Sequence, residues 1–167
     1  PHVFGDVQAD TSQQVLANWD VLKRREKGQR STADAVEAVP HTLPALWRAE
    51  KVQKKASKAH FDWENTQQTL EKVHEELGEL EEAIAEGNLD HMMEEYGDLL
   101  FASVNTARFM GVDPEDALNA ATEKFIRRFR QVEQLSQARG QALDACSVDE
   151  LVALWKDAKH TLDDTNP

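Results

Sequence analysis

Two acidic pairs at helical spacing sit in the middle of this 167-residue chain: Glu76 with Glu79, and Glu95 with Asp98. Members of an i, i+3 pair project from neighbouring positions on one side of a helix. Four carboxylates gathered on one seam would repel strongly unless a cation stood among them. The chemistry such a group offers is divalent-metal binding through hard oxygen ligands. Mg²⁺ is favoured, because few protein ligands per ion leave positions for water and phosphate oxygens, and Mn²⁺ is the natural substitute. Zinc is a poor match, since neither pair contains His or Cys.

The elements that must position these acids are two long helices. Val73, Leu77, Leu80 and Ile84 form an apolar stripe at 100° per residue. Glu76 lies at its border and Glu79 just beyond, whereas Glu71, Glu75 and Glu82 point away and are expected to be solvated. The first helix should run from about Thr66 to Glu86 and stop at Gly87-Asn88; the second should start with Asp90 and end at Met110-Gly111. The pairs lie about 15 and 14 Å from that turn along the two axes, so an antiparallel hairpin sets them level. Glu95 and Asp98 run into Leu99-Leu100-Phe101-Ala102-Ser103-Val104, apolar on almost every side. Such a helix is expected to be central and buried, where an acid needs a partner.

Strand signals are nearly absent, so the fold class is all-α. Residues 1–38 read as an arm with a polar helix over Ser12 to about Glu26 and a linker, Lys27 to Thr32. The compact domain is expected over 39–160. It opens with a helix capped by Thr42 that carries Pro44 in its first turn and runs to about Lys58. Asp113-Pro114 starts a third long helix ending near Arg139-Gly140, and Ser147 with Glu150 forms a capping box for a last one. Residues 161–167 are expected to fray.

Lys124 and Arg128 are i, i+4 neighbours that could meet phosphates, and Trp155 with Lys159 could supply a stacking plane and a further cation. Taken alone, the basic pair is equally a solvated face, and Trp155 is more readily a packing residue. His41, His60, His74, His91 and His160 show no ligand spacing, and Cys146 has no activating neighbour beyond a helix N-terminus. The chain has no P-loop and no G-x-G-x-x-G motif. A formal net charge of -12 opposes binding to a nucleic acid polymer, while a phosphate compound accompanied by cations remains compatible. The lone cysteine and the short apolar runs point to a reducing, soluble compartment, the cytoplasm, with no membrane partner.

Glu76-x-x-Glu79, fifteen residues, then Glu95-x-x-Asp98-Leu99-Leu100-Phe101 resembles the signature of the MazG nucleoside triphosphate pyrophosphohydrolases. Pro40 to Leu46, Ala59 to Trp63, Asn105-x-Ala107-Arg108-Phe109 and Lys124-Phe125-x-Arg127-Arg128-Phe129 extend the resemblance to the second domain of tandem-domain members, with residues 1–38 as the interdomain linker. The resemblance implies a four-helix-type bundle that forms at least a homodimer. It also implies Mg²⁺-dependent hydrolysis of a nucleoside triphosphate to the monophosphate and pyrophosphate, in a role such as nucleotide-pool house-cleaning. Glu76, Glu79, Glu95 and Asp98 would then hold the metal. Lys72, Lys124, Arg127, Arg128, Trp155 and Lys159 would contact the nucleotide. His91 stands where these proteins often carry lysine. Two other readings remain open at this point: a related all-α pyrophosphohydrolase of narrower substrate, and a catalytically silent regulatory or protein-binding module.

Overall fold

A computed structural model describes the backbone over residues 31–163 and the side chains as far as 161. The helix expected over Ser12–Glu26 lies outside the described residues, as does most of the linker after it. Six α-helices make up the regular structure among the described residues, with no strand. They are α1 (Thr32–Glu37), α2 (Ala45–Ser57), α3 (Thr66–Glu86), α4 (Leu89–Met110), α5 (Pro114–Ala138) and α6 (Val148–Asp163), with a single 3-10 turn at Leu143–Ala145. They fall into two compact units, one ending at Val112 and the other beginning at Asp113.

In the first unit the chain stops and restarts helices with local chemistry. Asn65 accepts from the Gln68 amide to open α3. Gly87, in the left-handed region at φ 73°, ends it, and Asn88 accepts from the amides of Asp90 and His91 to open α4 one residue later. The two long helices pack along their lengths as a hairpin, α2 packs on α4, and α1 packs on α2.

Three expectations for the first unit need correction. Thr42 does not cap α2: its N-cap residue is Pro44, which makes no side-chain cap bond, and the Pro44 carbonyl accepts from Arg48 at 2.9 Å. The folded unit already includes residues ahead of 39. Ser31 and Asp34 form a reciprocal capping box for α1, and Ala35 and Val39 bury their side chains, so the end of the expected linker is helical and packed. The Leu99–Val104 segment is not enclosed on all sides by the described residues of the first unit. Ala102 and Val104 are buried, but Leu100 and Phe101 are each 43% exposed, because α4 has helical neighbours on only part of its circumference.

In the second unit, Asp113 accepts from the amides of Glu115 and Asp116 above Pro114, and α5 packs on α6. Val132, Leu154 and Ala158 form the core, with Leu135, Leu143, Cys146 and Trp155 against it. The capping box at the start of α6 is present, with the Ser147 amide donating to Glu150 at 2.7 Å. At the other end α6 continues through the residues expected to fray as far as Asp163, and Thr161 donates from its hydroxyl to the Asp157 carbonyl. Residues 164–167 lie outside the described residues.

Candidate functional site

The hairpin brings three of the four signature acids together. One carboxylate oxygen each from Glu76, Glu79 and Glu95 lie within 4.8 Å of one another. Glu76, only 5% exposed, sits innermost; Glu95 is half-buried and Glu79 exposed. Asp98 stays outside this cluster. Its side chain lines, with Glu76 and Lys72, a neighbouring cavity of about 520 Å³. Glu71, Glu75 and Glu82 are exposed, as their phase on α3 requires.

Two of the three clustered acids, Glu76 and Glu95, are each balanced by a neighbour on the same helix. The Lys72 ammonium lies 2.7 Å from Glu75 and 2.6 Å from Glu76. Those bonds, the one to Glu75 foremost, raise its pKa, so it stays charged throughout the working range. His91 spans the interhelical turn, with Nδ1 2.8 Å from Glu86 and Nε2 3.2 Å from Glu95. Its pKa is raised, first by the Glu86 hydrogen bond. Glu79 has no such cation of its own. Loss of surrounding water, then the hydrogen bond and charge of Glu76, hold its carboxyl above the ordinary value. A cluster whose donors are all carboxylate oxygens suits a hard divalent cation.

The cavity beside the acids is bounded on one side by the face of α4 that carries Asp98, Phe101, Ala102, Asn105 and Arg108. Trp63 closes another side from the loop before α3. That loop is tied down by a fork: Arg108 Nη1 donates to Asp62 at 3.0 Å, Nη2 donates to the other oxygen of the same carboxylate, and Nε donates to Asn105 Oδ1 at 2.9 Å. The guanidinium also lies 4.7 Å from the Phe109 ring centroid. From α2, Gln53 donates through Nε2 to the Phe101 carbonyl at 2.8 Å. Sequence reasoning left Gln53 and the Asp62–Arg108 pair without roles. The second was visible only as two segments of the family resemblance, and a glutamine in a polar helix gives no signal until its burial is known.

Lys124, Arg127, Arg128, Trp155 and Lys159 all belong to the second unit. Lys124, Arg127 and Lys159 are exposed, while Arg128 and Trp155 are half-buried. The Trp155 ring lies 5.3 Å from that of Phe125, which stacks in turn on Phe129 at 6.1 Å. Within this unit Trp155 is therefore a packing residue as well as a candidate contact.

Residues 64–133, which contain the whole hairpin and all four acids, match the MazG nucleotide pyrophosphohydrolase domain. The chain is 40% identical over 161 residues to a nucleoside triphosphate pyrophosphohydrolase of Escherichia coli strain K12, an alignment covering 95% of this chain and 61% of that protein. It is 41% identical over 159 residues to the nucleoside triphosphate pyrophosphohydrolase/pyrophosphatase MazG of Thermotoga maritima, covering 95% of this chain and 59% of that one. The chain belongs to the MazG family. It spans about three fifths of the length of these relatives.

Proposed function

We propose that this chain is the catalytic part of a Mg²⁺-dependent nucleoside triphosphate pyrophosphohydrolase that cleaves between the α and β phosphates. The observation that carries the reading is the meeting of Glu76, Glu79 and Glu95 across the hairpin, inside the stretch that matches the family. The names of the relatives support the same reaction class.

Glu76, Glu79 and Glu95, with Asp98 at the cavity wall, are the residues that would hold the ion. When bound, Mg²⁺ neutralises phosphate oxygens and lowers the pKa of a water nearby. Lys72 carries a permanent positive charge at the rim of the cavity and can meet a phosphate oxygen as a point charge. On the family pattern, Lys124, Arg127, Arg128 and Lys159 are assigned to phosphates, and Trp155 to stacking on the nucleotide. In the reaction a water oxygen bonds to the α-phosphorus and the bond from that phosphorus to the bridging oxygen breaks. The electron pair departs with pyrophosphate, one water proton is released, and the nucleoside monophosphate remains.

The same reading includes a homodimer acting on free nucleotides in the cytoplasm. Leu77 and Ile84 on α3 are 43% and 57% exposed, and Leu89, Met93, Tyr96 and Leu100 repeat on one exposed side of α4. An apolar face of that extent on two adjacent helices supports burial against a second copy. No helix among the described residues is long and apolar enough to cross a membrane.

The test is release of pyrophosphate as against orthophosphate from canonical nucleoside triphosphates, with and without Mg²⁺, by the wild-type chain and Asp98→Asn. Metal-dependent pyrophosphate release that the substitution abolishes is expected. A folded chain that releases pyrophosphate from no triphosphate would overturn the proposal in favour of a helical regulatory or protein-binding module.

A further inference from the structure

Lys72 stands between two carboxylates of unlike surroundings. Its ammonium lies 2.6 Å from Glu76, a member of the acidic cluster whose side chain is 7% exposed, and 2.7 Å from Glu75, whose side chain is 58% exposed. Helix geometry sets this up. From Lys72, Glu75 at i+3 is turned about 60° to one side of α3 and Glu76 at i+4 about 40° to the other. The second side is the hairpin seam, where Glu79 and Glu95 meet Glu76; the first faces solvent. A short movement at the end of the lysine stem therefore takes the charge off the clustered acid without taking it off Glu75.

The choice between the two acids matters once a divalent cation is to share Glu76. Until then the ammonium supplies positive charge that a buried carboxylate needs. Beside a bound cation it is a like charge at close range, and a lysine does not shed its proton near neutral pH. The ammonium has to leave Glu76, and the retreat the structure offers is Glu75. Without Glu75 its bonding to side chains falls on Glu76 alone, and an incoming ion competes with it directly. Glu75 itself stands outside the cluster and does not line the cavity, so any effect it has on the ion passes through Lys72.

Resting on the metal-dependent reading above, we infer that Glu75 is a positioning residue, the seat that retains the Lys72 ammonium when Glu76 passes from the lysine to a divalent cation. The handover relieves the repulsion between ammonium and ion, and it keeps the lysine at the cavity rim that it shares with Glu76 and Asp98.

The experiment is a double-mutant cycle read by calorimetric binding of Mn²⁺ to the nucleotide-free protein, in the wild type, Glu75→Gln, Lys72→Met and the two combined. Lys72→Met removes the competitor and is expected to tighten Mn²⁺ binding. Glu75→Gln is expected to weaken binding about threefold or more while Lys72 is present, and by less than about 1.5-fold in the Lys72→Met background. An acid acting only as a nearby negative charge would weaken binding equally in both backgrounds. That result, or binding that Lys72→Met fails to tighten, would overturn the inference with the metal site intact. Glu71→Gln is the comparison that does not depend on Lys72→Met folding, because Glu71 is exposed on the same helix and bonds to Gln67 rather than to Lys72. A loss there equal to that of Glu75→Gln would also overturn the inference. Mn²⁺ that binds none of these proteins would remove the metal site, and the inference with it. The expected cycle in a chain that turns over no triphosphate would sink the reaction and keep the handover.

Discussion

His91 Nε2 stands 3.2 Å from Oε1 of Glu95, one turn away on α4, while the opposite ring nitrogen reaches back across the interhelical turn to Glu86. The imidazole therefore orients a carboxylate of the acidic cluster from outside it. Groups that hold a ligand in place commonly change metal affinity by about ten- to a hundredfold when removed. For His91→Ala we expect the Mg²⁺ concentration at half-maximal activity to rise about tenfold. His91→Lys, which can still reach Glu95 at i, i+4, should recover most of the loss. An unchanged Mg²⁺ requirement in the alanine variant would reduce His91 to a staple of the turn.

Lys72 bears on the same cluster from α3. Its ammonium is 2.6 Å from Glu76, the most buried of the acids. Lys72→Met leaves that carboxylate without its cation, at a cost of about 1–3 kcal/mol for a lost charged hydrogen bond. Mg²⁺ should replace part of the missing positive charge, so the metal-induced rise in melting temperature is expected to be larger in the variant than in the wild type. A smaller rise, read by thermal unfolding with and without Mg²⁺, would argue that Glu76 does not share in the metal site.

Glu95→Gln probes the cluster without removing packing. The amide keeps the shape and the helix but lowers the charge and the affinity for a hard cation. We expect pyrophosphate release to fall by about two orders of magnitude or more, with far-ultraviolet circular dichroism unchanged. Near-native turnover would remove Glu95 from the site.

Much of this arrangement was legible before any coordinates. Gly87-Asn88 and Asp113-Pro114 punctuate helices in a way few other residues can, and counting residues from the first of these turns places the two acidic pairs level. What remained hidden depends on side-chain direction and on neighbours distant in sequence. Asp98 shares the i, i+3 spacing of Glu95 but stands beside the cavity rather than in the cluster, a difference of facing that spacing alone does not resolve. Arg108 finds Asp62 from 46 positions away, and Gln53 finds the Phe101 backbone from 48. Period analysis also placed Leu77 and Ile84 on an apolar face without indicating that the first unit leaves them exposed.

The Arg108–Asp62 fork closes the loop that carries Trp63, and both side chains are largely shielded, at 12% and 24% exposure. Arg108→Ala is expected to destabilise the first unit by about 2–3 kcal/mol through the lost charged hydrogen bonds and ring contact. Arg108→Lys should rescue little, since an ammonium cannot serve two carboxylate oxygens and Asn105 in one plane. Full rescue by lysine, in denaturant titration, would show that charge alone matters there.

The second unit offers a pH test that involves none of the clustered acids. Glu150 accepts from the Ser147 amide at 2.7 Å, from its hydroxyl at 2.9 Å and from Gln141 Nε2 at 2.8 Å. The backbone bond foremost, and then the two side-chain bonds, hold its carboxyl below the ordinary value. A group that is a stronger acid folded than unfolded contributes stability above its unfolded pKa and loses it as pH falls through the folded one. The cap should therefore weaken from about pH 4–5 downward. Glu150→Gln keeps the reach but does not titrate. Its melting temperature should lie below that of the wild type at neutral pH, and the two curves should converge in acid as the wild-type carboxylate takes up its proton. Parallel curves across that range would mean that the hydrogen bonds of Glu150, not its charge, hold the start of α6.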